Sequence, residues 1–377
     1  MMPLHPGLTE KLTATAARRM SFSAMPLAHS LCNFYRLTAT SVLLLTLVPR
    51  PSIAQSSPPA GTPRDVEILL LGTAGGPGLH KERSEPSSLL VVDGRPYLID
   101  CGIGTMRQMV LAGIRSETIG TIFITHHHPD HDLDFANVMA NDFLSLGLAG
   151  AAHTINIYGP PQTRELVKAA FNYISIPFGV FAAEGLGNTK PINPFVAHDI
   201  LHNGPVYQDD KLRVIAAENS HYALMPAQFR ARMKSYSYRF ETPHGIIVFT
   251  GDTGPSDAVT QLAKGADVLV SEVLDLEAAT KFVHGLAEKN HWPPERSNAL
   301  MAHMKVEHLD LEEVGELASR AQVKSVVLYH LGTSSEGVGA AELVSGVKKY
   351  FSGPVFAGAD LDRYCLSDKA QMLSPCH

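Results

Sequence analysis

The stretch Thr125-His126-His127-His128-Pro129-Asp130-His131 crowds four potential metal ligands into six residues, in the order His-x-His-x-Asp-His. Imidazole nitrogens and a carboxylate oxygen suit zinc and related divalent cations. A short turn cannot wrap all four around one ion as a tetrahedron. The spacing therefore suggests His126 and His128 for one cation and Asp130 with His131 for a second, the equipment of a two-metal hydrolase.

Such a site needs further ligands, which should come from strand ends. His221 lies just past an apolar run ending near Ala217, Asp252 lies in Phe249-Thr250-Gly251-Asp252-Thr253, and His330 ends Ser325-Val326-Val327-Leu328-Tyr329. Each is a polar ligand type placed where a buried strand emerges, as an α/β active site requires. A carboxylate such as Asp252 can bridge two cations about 3.5–4 Å apart. His127 falls in the variable slot of the motif and is expected to be a solvated bystander. His284, His291, Trp292 and His303 read as lid or surface residues, and Tyr222 as a packing residue beside His221.

The elements that must position these residues are strands alternating with helices. Val66–Leu71, Ser88–Val92, Pro96–Asp100 and Thr121–Ile124 read as strands, the second and third forming a hairpin around Asp93-Gly94. Helical patterns fill 104–113, 164–173, 310–320 and 340–350, and the mixture indicates layered α/β packing. Residues 174–210 and 276–307 are rich in Pro, Gly, aromatic residues or His, and are expected to be insertions that serve as lids or pocket walls.

Residues 1–54 are expected to be a leader with a secretory signal peptide: Arg36, an apolar core Ser41–Val48, then small residues at Ser52 and Ala54. Residues 55–64 read as a linker and 65–377 as a single hydrolase domain. The expected location is therefore periplasmic or secreted, with no stable membrane span once the signal is cleaved. The leader holds five of the 31 Lys and Arg and one of the 37 Asp and Glu, so the remainder carries ten more acids than bases. A surface of that sign repels polyanions, and nucleic acid is a disfavoured partner on this ground. In an oxidising compartment Cys365 and Cys376 are positioned to pair, although two free thiols fit the sequence equally well.

Together, Gly72-Thr73-Ala74-Gly75-Gly76, Ile99-Asp100-Cys101-Gly102, His126-x-His128-x-Asp130-His131, His221, Gly251-Asp252-Thr253 and His330 resemble the metallo-β-lactamase superfamily. The resemblance implies an αββα sandwich with two divalent cations, zinc first, at one edge. It implies that His126, His128 and His221 hold one cation, that Asp130, His131 and His330 hold the other, and that Asp252 is shared. A hydroxide between the two would be the nucleophile, and Asp100 would orient the ligand loop.

Leu98 to Gln108, and His308 with the run through His330, resemble the ribonuclease Z branch. There a histidine at the position of His308 donates a proton or stabilises the transition state, so Asp130 and His308 are the candidate catalytic residues. The Asp132-Leu133-Asp134-Phe135 stretch and the lack of a basic, Gly-rich arm look closer to arylsulfatase-like members. The expected activity is cleavage of a small ester, sulfate first. A lactonase or phosphodiesterase, a β-lactamase-like hydrolase, a ribonuclease Z-type endonuclease and a zinc-binding module without turnover stand as alternatives. The expected partner is a small-molecule ester, with self-association left open.

Overall fold

The computed structural model describes residues 66–76, 78–149, 154–186, 194–332, 339–366 and 373–376. The expected leader and linker lie outside the described residues.

The chain begins with β1 (Val66–Gly72), whose residues are all buried. Ile68 and Leu70 face one core while Leu69 and Leu71 face another, because successive strand side chains point to opposite sides. A strand covered on both faces reads as a continuous apolar run. β2 (Ser87–Val92) and β3 (Arg95–Ile99) pair antiparallel. Their turn has Asp93 at φ 47° and Gly94 at φ 82°, the two left-handed positions of a type I′ hairpin. β4 (Thr121–Phe123), β5 (Ile155–Gly159) and β6 (Phe195–Asp199) follow in parallel.

The second sheet runs through β7 (Gly204–Gln208), β8 (Arg213–Glu218), β9 (Tyr236–Thr242) and β10 (Gly245–Phe249), all antiparallel. β11 (Val268–Leu274), β12 (Ser325–Gly332) and β13 (Val355–Ala357) extend it in parallel. β14 (Arg363–Leu366) and β15 (Leu373–Pro375) return to the edge of the first sheet beside β1.

Among the described residues the two sheets have eight and seven strands. Between them lies one core, including Leu70, Tyr97, Phe123, Tyr238, Phe240, Phe249 and Tyr329. Helices α1 (Thr105–Leu111), α2 (Pro129–Asp132), α3 (Phe135–Ala149), α4 (Thr163–Ala183) and α5 (Ala227–Arg230) come first in the chain. Of these, α1, α3 and α4 cover the outer face of the first sheet through Met109, Val138 and Val167. α6 (Asp257–Leu262), α7 (Leu276–Lys289), α8 (Pro294–Val306), α9 (Leu311–Ala321) and α10 (Ala340–Val347) follow. The second sheet is covered by α6, α9 and α10 through Val259, Leu317 and Val347. This is the expected αββα sandwich.

Both stretches read as irregular insertions contain regular structure. α4 continues to Ala183 through an exposed Pro177. The proline removes one backbone donor, yet the flanking turns are long enough to carry the helix past it. α4 is also long and apolar enough, by length and composition, to cross a bilayer. Residues 195–208 supply β6 and β7, and 276–306 hold α7 and α8. Cys365 and Cys376 form a disulfide across β14 and the segment after β15, and Cys101 is free and buried.

Candidate metal centre

The site lies where strands end. The ligand loop leaves β4, and Asp252 follows β10 across Gly251, which has φ 58°. His330 sits within β12 where its pairing with β11 slips: Ser271 pairs Leu328, but Val273 pairs Leu331. Two residues of β12 thus oppose the single residue Glu272. Such a bulge bends the strand and re-aims a side chain. His330 takes φ 45° there, a conformation that non-glycine residues rarely adopt and that clusters at functional sites.

The side chains gather in two groups. Ligand atoms of His126, His128 and His221 lie within 4.8 Å of one another, as do those of Asp130, His131, Asp252 and His330. Asp252 stands between the groups. Its Oδ2 is 3.8 Å from His126 Nε2, 3.9 Å from His221 Nε2 and 3.1 Å from His330 Nε2, and its Oδ1 is 3.3 Å from His131 Nε2. Asp130 Oδ2 is 3.6 Å from His131 Nε2 and 3.4 Å from His330 Nε2.

The nitrogens that do not face the cluster are tied down. His221 Nδ1 donates to the carbonyl of Glu307 at 2.9 Å, and His131 Nδ1 donates to Asp100 Oδ2 at 2.9 Å. Asp100 also accepts from Thr125 N at 2.7 Å and Thr125 Oγ1 at 2.8 Å, fixing the start of the ligand loop. Such partners set which ring nitrogen keeps its lone pair for a metal.

The Gly-rich turn closes the far side. Gly76 N donates to Asp130 Oδ2 at 3.1 Å, and a Cβ on Gly76 would fall 2.3 Å from that side chain. Only glycine permits this approach.

The donor set fits two divalent cations. His126 Nε2, His131 Nε2, His330 Nε2 and Asp252 Oδ1 are buried without a hydrogen-bond partner among the described residues. Each such atom costs about 1–3 kcal/mol when left unmatched, and all four belong to these two groups. The two groups differ in charge: the carboxylates around His131 and His330, Asp252 foremost, outweigh burial and raise both imidazoles, while the histidines of the other group are lowered. Burial drives His126 and His221 well below the imidazole range. Burial would raise Asp252, but His330 and His131 outweigh it and hold its carboxyl well below the carboxylate range.

Beside the clusters, His308 Nδ1 contacts Glu272 Oε2 at 2.7 Å, and Glu272 Oε1 accepts from Thr253 N at 2.5 Å. Burial lowers the His308 pKa, but the Glu272 carboxylate outweighs it and raises it above the ordinary value. The His308 ring lies 4.9 Å from that of His221 and 6.0 Å from that of His330. His303, on α8, reaches the same place: its Nε2 is 3.3 Å from His308 Nε2 and its Nδ1 is 2.5 Å from Glu307 Oε2.

His127 stands in neither cluster and bonds Asp132 at 2.9 Å. The Tyr222 ring packs against His126, His128 and His221. His303 lies on α8, within the stretch read as a lid or pocket wall, and belongs to neither cluster, but it faces His308. Glu272 and Glu307 were not singled out from the sequence. For Glu272 a signal exists: a carboxylate inside the apolar run Val268–Leu274.

A fold of this kind carrying two such clusters defines a metal-dependent hydrolase. Residues 95–331 match the family model described as the beta-lactamase superfamily domain, and the chain belongs to that family. It is 28% identical over 299 residues to the protein named ribonuclease Z of Mycobacterium bovis (strain BCG / Pasteur 1173P2), covering 79% of this chain and 97% of that one. It resembles the metallo-beta-lactamase fold protein YhfI from Bacillus subtilis with TM-score 0.56 and 17% identity, over 80% of this chain and 98% of that one. It resembles human tRNase Z, short form, with TM-score 0.53 and 18% identity, over 80% and 99%.

These names overturn the expectation that nucleic acid is disfavoured as a partner, since the relatives are ribonucleases by name. The physical fault lies in reading a local property from a total. Residues 222–234, directly after His221, hold Arg230, Arg232 and Lys234 and no acid, and Arg230 and Arg232 are exposed.

Proposed function

We propose that this hydrolase is a phosphodiesterase of the ribonuclease Z type, acting on RNA with two divalent cations, zinc first. The observation that carries the reading is the His308–Glu272 pair beside the two clusters. His126, His128 and His221 would hold one cation and Asp130, His131 and His330 the other, with Asp252 shared. Bound there, the cations would supply Lewis acidity and activate water at neutral pH. Asp100 orients Thr125 and His131. Glu272 fixes the His308 ring and favours its protonated form, which suits donation of a proton to the departing oxygen.

The test is turnover by metal-replete protein on a 3′-extended RNA and on bis(p-nitrophenyl) phosphate, set against p-nitrophenyl sulfate, a carboxylate ester, a lactone and a cephalosporin. Phosphodiester cleavage should lead. Sulfate hydrolysis at a higher kcat/KM than any phosphodiester would overturn the reading in favour of an arylsulfatase-like enzyme. That second reading draws on the Cys365–Cys376 disulfide. Together with the apolar run 41–48, the disulfide supports export to an oxidising compartment, the periplasm or the exterior.

A further inference from the structure

The carboxylate–imidazole pair at His308 is doubled by a second one, Glu307–His303, and the two meet head on. His308 Nδ1 is held by Glu272 Oε2 at 2.7 Å, His303 Nδ1 by Glu307 Oε2 at 2.5 Å, and the two Nε2 atoms lie 3.3 Å apart. The Glu307 side chain is buried, and its other oxygen accepts from Leu224 N at 2.7 Å. Its backbone carbonyl holds His221 Nδ1. Glu307 therefore fastens the end of α8 to a loop that carries a cluster histidine. His303 itself is only part-buried, with 34% of its side chain exposed.

The hydrogen-bond roles follow from the partners. With Nδ1 donating to Glu307, the neutral ring of His303 presents Nε2 as an acceptor, and it is His308 Nε2 that faces it. A ring held at one nitrogen can still rotate about its Cα–Cβ and Cβ–Cγ bonds, whereas a ring held at both cannot.

We propose that His303 is a positioning residue for His308: the Glu307–His303 pair accepts the outer N–H of the His308 ring and holds the ring in place until the departing oxygen takes over that N–H and receives its proton. The helical segment 276–306 is thereby part of the catalytic apparatus through its last turn. This rests on reading His308 as the proton donor.

Three variants separate the contact from mere packing. His303→Ala removes both contacts. His303→Gln reaches as far as Nε2 and offers an oxygen acceptor to His308. His303→Asn reaches only as far as Nδ1 and keeps only the contact with Glu307. Partners that orient metal-bound histidines contribute about 10–100-fold, and the low end of that range is taken for the proton donor His308. His303→Ala and His303→Asn should therefore lower kcat about tenfold with KM and bound zinc unchanged, and His303→Gln should recover most of the loss. Equal kcat in all four proteins, or equal losses in Gln and Asn, would overturn the proposal.

A second readout does not depend on turnover. In zinc-loaded protein with 15N-labelled histidine, His303→Ala should shift the ring nitrogens of His308 and leave those of His127 in place. Unchanged His308 signals would also overturn it. If no substrate in the panel were cleaved while the His308 signals shifted as described, the proposed function would fail and the clamp would stand.

Discussion

Replacing Asp100 by Asn isolates one charge at the base of the metal loop. The side chain is buried, and its two oxygens accept from Thr125 N, Thr125 Oγ1 and His131 Nδ1 at 2.7, 2.8 and 2.9 Å. Its backbone sits at φ 57°, where Asn is as well tolerated as Asp, so the main chain adds no cost. The amide keeps one acceptor, which the Thr125 backbone retains. Its NH2 group must then face the His131 N–H or the Thr125 hydroxyl, and against His131 donor opposes donor. A hydrogen bond to a charged group contributes about 1.5–3 kcal/mol, and its loss frees His131 to move its proton to Nε2, the nitrogen aimed at Asp130 and Asp252. At 1.4 kcal/mol per decade this is roughly 10–100-fold in affinity for the cation of the second cluster. Competition with a chromogenic zinc chelator should resolve two binding steps, one of which falls by that factor in Asp100→Asn. Activity should return when zinc is added in excess. Two unchanged zinc affinities with normal folding by circular dichroism would refute the role assigned to Asp100.

Asp252→Ala should lose zinc and activity together because both clusters share that carboxylate, whereas His127→Ala should keep both; elemental analysis beside turnover reads the contrast, and the reverse pattern would sink the ligand assignment. Burial pushes the Asp142 carboxyl on α3 up to about 8, with Ser116 opposing and Glu117 adding to the rise. A folded-state pKa raised above the unfolded one makes stability fall as pH rises between about 4 and 8. The gain in melting temperature of Asp142→Asn over the wild type should therefore be larger at pH 8 than at pH 5, and an equal gain at both would contradict the shift. The Cys365–Cys376 bond closes a loop with a sequence separation of 11, which loop entropy values at up to about 3 kcal/mol. The Cys365→Ser/Cys376→Ser double variant should melt several degrees lower with unchanged kcat, as thermal denaturation and turnover would register.

The candidate ligands could be picked out as a group because their chemistry is dense in the sequence and their strands are apolar runs, and a strand end is where a buried run gives way to a polar residue. What surrounds them was less so. Glu272 lies within an apolar strand, on the face it shares with Val268 and Val270, and the His308 that it meets comes from a distant part of the chain. His303 lies on α8, which has no buried residue, and Glu307 lies just past its end, so no apolar stripe announces which side faces inward. The helical pattern reads only to residue 173, although α4 runs past Pro177 to Ala183. Alternation and periodicity report burial, and each of these features is set by what an element meets in space.

The same distinction governs the charge argument. Net charge sets the far field, which falls off within a Debye length of about 8 Å at physiological salt. A substrate at the mouth of the site responds instead to groups within that distance. Lys234 is partly neutralised by Glu218, 2.5 Å away, but Arg230, at the end of α5, and Arg232 are exposed in the segment that follows the cluster residue His221. An excess of acids spread over the rest of the surface leaves such a local concentration of cationic side chains intact. For an enzyme whose ligands come from distant parts of the chain, the charge that selects a substrate has to be counted along the rim of the site, and that rim is known only once the strands have placed it.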